Sequence, residues 1–361
     1  MHTQPRPPGI EIAGRKIGPD YPPYVIAELS ANHNGKLENA LNLIEAAAEA
    51  GADAVKIQTY RADTITIKSD KPEFQIKGGL WGGQTLYELY DAAHTPWEWH
   101  ETLFEKAKDA GITLFSSPFD ESAVDLLESL GAPAFKIASF EAVDLQLIRR
   151  VGGSGKPVII STGMANEDEI SAAVDAARQA GCKELVVMHC VSAYPAPPAD
   201  YNLLTLADIG ARHHVLTGLS DHTLGNVTAI AAIALGACLI ERHFTIDRSG
   251  GGPDESFSLQ PSELHALCRD CRTAWESLGK IDYSRQDSER DNSQFRRSLY
   301  VIADVKVGEV ITPENVRSIR PGYGLAPRFY DDLLGRRFVR DVERATPMSW
   351  DLCESSNDES S

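Results

Sequence analysis

The sequence predicts an α/β fold, a (β/α)8 TIM barrel followed by a small β-rich domain. Three observations carry the prediction. Eight short apolar runs alternate with helical patterns, most of the runs follow a helix-stopping glycine, and the alternation ceases after Gly279. A chain of 361 residues has room for one barrel of about 250 residues and a second, smaller domain.

The runs, in order, are "YVIAEL" (24–29), "AVKIQT" (54–59), "TLFSSP" (113–118), "AFKIAS" (134–139), "PVIIST" (157–162), "ELVVMHC" (184–190), "HVLTGLS" (214–220) and "CLIERHF" (238–244). Each is the length and composition of a buried strand. Between them, segments such as "LENALNLIEAAAEAG" and "EDEISAAVDAARQAG" carry apolar residues at helical spacing and end in Gly51 and Gly181, where a helix stops on a left-handed residue. The barrel is expected over 1–281, its first nine residues disordered. A polar linker follows over 282–295 ("KIDYSRQDSERDNSQ" surrounds it), and 296–351 reads as the β-rich domain, with short β runs and the turn signals "VGE" and "PGYG". Residues 352–361 are expected to be a disordered acidic tail.

Composition narrows the function. Hydrophobic content of 42% and charged content of 24% are ordinary for a globular protein, while 52 acidic residues against 35 basic ones give a net charge of -17. Such a chain repels nucleic acid and anionic membrane surfaces. The longest apolar stretch, Val227 to Ile240, is too short to span a bilayer, and the start "MHTQPRPPG" has no apolar signal segment. Six scattered cysteines do not make a disulfide framework in a chain this long, so the expected setting is a reducing cytoplasm.

Barrel active sites lie where strands end and the next loops begin. Glu28, Lys56, Gln58, Ser116, Ser117, Lys136, Ser139, Ser161, Thr162, His189, Asp221, His222, Glu241 and His243 all fall at or just beyond such ends. Alternation puts Lys56 with Gln58 and Glu241 with His243 on shared faces, and Arg242 on the helix-facing side. Lys56 and Lys136 each interrupt an apolar strand, and a buried lysine needs a partner. Two partners are open: a structural ion pair with Glu28 or Glu141, or a bound anion held by the two ammonium groups and by Ser117, Ser139 and Ser161. Phosphate suits the second, and the missing Gly-rich P-loop argues against a nucleoside triphosphate.

His222 and His243 close the last two predicted strands, which are adjacent in a closed barrel. Two imidazoles with open positions suit a catalytic divalent ion better than a closed structural site. His189 is either a third ligand or turned elsewhere. Cys268 and Cys271 form a lone CxxC and read as ordinary helix residues. Trp81, Trp97 and Trp99 belong to the longest barrel loop, which is either a substrate lid or aromatic packing for a helix beginning near Thr95.

Taken together, "IAELSANHNG", "KIQTY", "STGM", "SDHTLG", "ERHFTIDRSGGGPDESFSL" and the terminal "RPGYG" resemble the sialic acid synthase family of nonulosonate synthases. The resemblance runs from about Tyr24 to Trp350, and "AELSANHNG" with "LYELYDAAHTPWEWH" is most similar to the family's pseudaminic branch. The final domain resembles the family's antifreeze-like, or SAF, domain.

This resemblance implies condensation of phosphoenolpyruvate with the open-chain aldehyde of an acetamido sugar, releasing phosphate. In the pseudaminic branch the sugar is 2,4-diacetamido-2,4,6-trideoxy-L-altrose; N-acetylneuraminate or legionaminate synthesis would use another acceptor. By motif match, Lys56, Ser117, Lys136, Ser139 and Ser161 would hold phosphoenolpyruvate, and His222 and His243 a divalent metal ion, manganese or magnesium. Glu28, Gln58, Tyr194 and Asp254 would be substrate-side or acid-base positions, with Glu28 or Glu141 stabilising cationic character and helping to deliver water. Ser192 stands where sialic acid synthases carry Asn, which implies a different sugar contact. Arg320 would reach the sugar from the partner subunit of a domain-swapped homodimer. A barrel aldolase or lyase that does not use phosphoenolpyruvate is the alternative of another kind, and a non-catalytic glycan- or ice-binding protein is the most remote.

Overall fold

The computed structural model describes residues 7–78 and 81–355. Two compact units divide the chain, Met1–Gly279 and Lys280–Ser361.

The larger unit opens on an antiparallel hairpin, β1 (Ile10–Ile12) and β2 (Arg15–Ile17), turned by Ala13 and Gly14 with positive φ. Eight parallel strands follow: β3 (Tyr24–Glu28), β4 (Ala54–Thr59), β5 (Thr113–Pro118), β6 (Phe135–Ile137), β7 (Val158–Ser161), β8 (Leu185–Cys190), β9 (Leu216–Ser220) and β10 (Leu239–His243). They close in sequence order, β10 pairing with both β9 and β3, so the predicted TIM barrel is present. Helix-stopping glycines precede the strands as the spacing requires: Gly51, Gly111 and Gly181 have φ of 89°, 69° and 103°, a region closed to most side chains.

The lumen is built in layers. Ile26, Ala54, Phe115, Ala134, Ile159, Val186, Met188 and Leu239 fill its N-terminal half, and Ile10, Ile12 and Ile17 of the hairpin pack into the same cluster. The hairpin thus plugs the bottom of the barrel. Outside the strands, two further apolar clusters join the barrel to its helices. Two residues further along β3 to β7 and β10 from the lower layer, the inward positions turn polar; the register sets Glu28 beside both His243 and Lys56, and Gln58 beside Ser117.

The helix expected to begin near Thr95 is present, a 3-10 turn at Trp97–Trp99 running into His100–Asp109. Unforeseen is a further helix in the excursion after β4, α3 (Leu86–Ala93), which follows α1 (Leu37–Glu49) and α2 (Ala62–Ile65) in chain order. It starts where it does because Thr85 and Glu88 form a capping box, Thr85 Oγ1 accepting from Glu88 N at 3.1 Å and Glu88 Oε2 from Thr85 N at 2.9 Å.

In the smaller unit, β11 (Ser298–Val301) pairs antiparallel with β12 (Val316–Ile319) over a core that includes Leu299, Ile311, Leu333, Phe338 and Met348. Leu352 and Cys353, assigned to the tail by their polar surroundings, are buried in this core. The rest of the expected disorder at the two ends falls mainly on 1–6 and 356–361, outside the described residues. Among the described residues no helix is long and apolar enough to cross a membrane.

Candidate active site

The C-terminal mouth of the barrel opens into a cavity of about 330 Å³. Glu28, Lys56, Gln58, Lys136, Ser139, Glu141, Ser161, Tyr194, His222, His243 and Asp254, all singled out in the sequence, line it. Three others do not. Ser117 lies behind Lys56, whose Nζ donates to its Oγ at 3.3 Å. Ser192 stands beside the loop after β7, and Arg320 belongs to the smaller unit.

Both lysines are fully buried and both have carboxylate partners. Lys56 Nζ is 2.6 Å from Glu28 Oε2 and 3.6 Å from Glu241 Oε1, while Lys136 Nζ is 3.0 and 3.1 Å from the two Glu241 oxygens. Glu241, which the sequence put on the face of His243, is therefore the partner of the lysines. Glu141 takes neither lysine. Burial pushes the Glu28 carboxyl up against the pull of Lys56, and burial lowers Lys136; at Glu241 burial is outweighed by Lys136 and Lys56, which hold it below its ordinary value. Two ammoniums against two carboxylates leave this floor close to neutral, so an anion must re-pair the lysines to bind.

Hydroxyls surround that floor. Ser161 Oγ is buried with no hydrogen-bond partner, and Ser139 Oγ accepts from Gly163 N at 3.2 Å. Only glycine allows this approach, because a Cβ at Gly163 would stand 2.7 Å from Ser139 Oγ. Gln58 Nε2 donates to Glu28 Oε1 (2.8 Å) and to Ser30 Oγ (3.1 Å), and Ser30 Oγ donates to Asp254 Oδ2 (2.5 Å). Burial, only partly offset by Ser30, raises the Asp254 carboxyl. Glu141 has a buried Oε2 without a partner, and burial pushes its pKa up to about 7.

The two histidine rings lie 5.4 Å apart, centroid to centroid. His222 Nδ1 is paired with the Val191 carbonyl at 2.8 Å, so a cation held by this ring would have to meet Nε2. His243 Nδ1 is buried, has no hydrogen-bond partner and lies 3.7 Å from Asp254 Oδ2. Burial and the neighbouring His222 keep the His243 imidazole neutral, the form that binds a cation. Tyr194 packs on His222 with centroids 4.4 Å apart. Among the described residues, no group of three or more His, Cys, Asp or Glu is gathered as a metal cage. His189 faces away: its Nε2 meets the Tyr201 carbonyl at 2.5 Å, while the Tyr201 hydroxyl accepts from His222 N at 2.7 Å. Arg242 points outward, as alternation requires, to Asp221 (2.9 Å) and the carbonyls of Thr223 and Gly225 (each 2.6 Å), fixing the loop that carries His222.

Sequence reasoning missed Ser30, Tyr60, Phe119 and Ser220 among the lining residues and left Trp81 undecided. Ser220 was legible, being a polar residue at a strand end. Trp81 lines the cavity and its Nε1 donates to the Pro253 carbonyl (3.3 Å), whereas Trp97 and Trp99 pack elsewhere, Trp97 under Arg61 and Trp99 against His33. Cys268 and Cys271 are free thiols of the last barrel helix.

Comparison with known proteins gives the same assignment for both units. Residues 43–283 match the NeuB family, and residues 296–352 match the SAF domain. A pseudaminic acid synthase from Campylobacter jejuni is 44% identical over 89% of this chain and 93% of its own. Another, from Helicobacter pylori, is 41% identical over 93% of this chain and 99% of its own. The crystal structure of the N-acetylneuraminic acid (sialic acid) synthetase from Leptospira borgpetersenii, solved with citrate, superposes with a TM-score of 0.71 at 31% identity, covering 79% of this chain and 95% of that one.

Proposed function

The chain belongs to the NeuB family, and from that premise we infer that it condenses phosphoenolpyruvate with 2,4-diacetamido-2,4,6-trideoxy-L-altrose, giving pseudaminic acid and inorganic phosphate. The observation that carries the inference is one cavity in which two buried lysines, a set of hydroxyls and four carboxylates stand beside two paired imidazoles.

Lys56 and Lys136, with Ser139 and Ser161, hold the phosphate and carboxylate of phosphoenolpyruvate, and Ser117, sequence-matched to the same set, positions the Lys56 ammonium from behind. The substrate anion displaces Glu28 and Glu241 from the ammonium groups, and the freed carboxylates then face C2. His222 and His243 would hold a divalent ion, manganese or magnesium; the unpartnered, neutral His243 Nδ1 beside the His222 ring fits that role. When bound there, the ion supplies Lewis-acid polarisation of the acceptor aldehyde.

C3 of phosphoenolpyruvate attacks the aldehyde carbon, the new C–C bond forms, and the aldehyde oxygen takes a proton from Asp254, which burial keeps prone to protonation. Cationic character develops at C2, where Glu28 stabilises it. Water adds to C2 and gives its proton to Glu141, whose Oε2 has no competing partner. The C2–O bond to phosphate then breaks as the C2 carbonyl forms, the C2 hydroxyl gives its proton to the departing phosphate, and phosphate leaves on the lysines. Ser192, Gln58 and Tyr194 are assigned to the sugar side.

We further place the reaction in a reducing cytoplasm, in keeping with six free thiols, and in a domain-swapped homodimer. Exposed Phe140, Met164, Leu204, Leu224 and Val227, all in segments that follow strand ends at the barrel mouth, support a covering second copy. Arg320 of the partner subunit would complete the acceptor site, and Arg320→Ala would then act in trans in mixed dimers.

The test is phosphate release from phosphoenolpyruvate across a panel of diacetamido and N-acetyl hexoses. The expected acceptor is the diacetamido-trideoxy altrose. Preference for N-acetylmannosamine or for the legionaminate precursor would move the chain to another branch, and no release with any acceptor would sink the reading.

A further inference from the structure

One wall of the active cavity has chemistry that the reacting groups do not use. In α3, Leu86, Leu89, Tyr90 and Ala93 stand at i, i+3, i+4 and i+7, the apolar stripe of an amphipathic helix. Such a stripe ordinarily packs on a core. Here no residue of the helix is fully buried, and neither leucine belongs to an apolar cluster described for the barrel. All four residues line the cavity instead, and Ile65 and Ile76 of the same excursion extend the wall. Tyr90 is held in place by edge contact with Tyr60 (5.9 Å), which in turn meets Phe119 (5.1 Å). The charged residues come from the strand ends, so the cavity is divided into a charged floor for an anion and an apolar wall for something else.

Apolar surface on a helix that touches no core is stabilised only by an apolar occupant. We propose that the α3 face is the specificity-determining wall of the acceptor site, and that it seats the C6 methyl group of the sugar. It thereby selects a 6-deoxy acceptor over one with a 6-hydroxyl, because Leu86, Leu89 and Ala93, the aliphatic part of the wall, offer a hydroxyl no hydrogen-bond partner in exchange for water. The proposal rests on the condensation described above and adds to it the residues that choose the acceptor.

The test compares 2,4-diacetamido-2,4,6-trideoxy-L-altrose with its 6-hydroxy counterpart in the wild-type chain, Leu89→Asn and, as a second variant, Leu86→Gln. Wild type should favour the deoxy sugar in kcat/KM by about 10²-fold, and each variant should lower that ratio roughly tenfold through acceptor KM. KM for phosphoenolpyruvate should stay within about twofold, since the lysine floor is separate from the wall. Circular dichroism of each variant checks that α3 and the barrel are retained. A wild-type ratio preserved in both variants would overturn the proposal while leaving the condensation intact. So would variants that change only the dimer–monomer equilibrium in sedimentation, which would make the face a contact for a second copy. If the wild-type chain released phosphate with neither sugar, the condensation itself would fall, and the wall with it.

Discussion

The lower and upper layers of the barrel lumen are made by the same strands only two residues apart, yet they do opposite things. Ile26 is followed by Glu28, Ala54 by Lys56, Phe115 by Ser117, Ala134 by Lys136, Ile159 by Ser161 and Leu239 by Glu241. The lower member of each pair is buried in one apolar cluster, and the upper member is equally buried but paired by charge or hydrogen bond, or left open for a ligand. Equal burial with unlike chemistry separates two jobs. Apolar burial stabilises the fold, whereas buried charge is poor stabilisation and is retained for what it binds.

The most severe break of this contrast is in the lower layer. Phe115→Ala should cost about 3–5 kcal/mol in unfolding free energy by leaving a cavity, with kcat/KM unchanged wherever the variant is folded. Denaturant melts and steady-state rates on one sample check both halves. In the upper layer the pattern should reverse: Lys136→Met should lower kcat/KM about 10²–10³-fold, because one donor to the leaving phosphate is gone. Its melting should change far less than its rate, since Glu241 keeps Lys56 at 3.6 Å.

Glu141 sharpens the comparison by titration. Burial lifts its carboxyl from an ordinary value of 4.5 to about 7, so the folded chain retains a proton there that the unfolded chain has released. Its contribution to stability is therefore complete below about 4.5 and is lost as pH rises through about 7. Over the same window kcat/KM should rise, because the base must be deprotonated to take the proton of water. Glu141→Gln should flatten that limb of the pH–rate profile and gain roughly 1–3 kcal/mol over wild type at pH 8 but not at pH 4. A rising limb unchanged in the variant would remove Glu141 as the base. The smallest effect lies at the rim of the upper layer: Thr85→Ala should cost about 1 kcal/mol locally by uncapping α3, seen as faster amide exchange in 86–93 with the barrel strands unaffected.

The barrel and most of its mouth were legible because both obey short-range rules. Strand and helix periods repeat within about 30 residues, and alternation assigns a face to each strand residue. Lys56, Gln58, His222 and His243 could be placed on those grounds. The pairing of Lys136 with Glu241 could not, since it joins β6 to β10 across the lumen and exists only once the barrel closes. Glu141 was a plausible partner on local grounds, and its position after β6 keeps it from either lysine. The hairpin plug was hidden because Ala13-Gly14 lacks the usual Asn-Gly or Asp-Gly turn signature, and α3 because its apolar stripe serves a cavity instead of a core. Its capping box at Thr85 and Glu88 was the available signal.

The central claim is that the charged upper layer holds phosphate as a leaving group while the chemistry occurs at C2. Phosphoenolpyruvate labelled with heavy oxygen at the atom bridging C2 and phosphorus tests this most directly, with acceptor, divalent metal and product mass spectrometry. The account predicts that the label departs entirely in inorganic phosphate, because the C2–O bond breaks. Label retained in the nine-carbon acid would mean that water attacks phosphorus, and would contradict it.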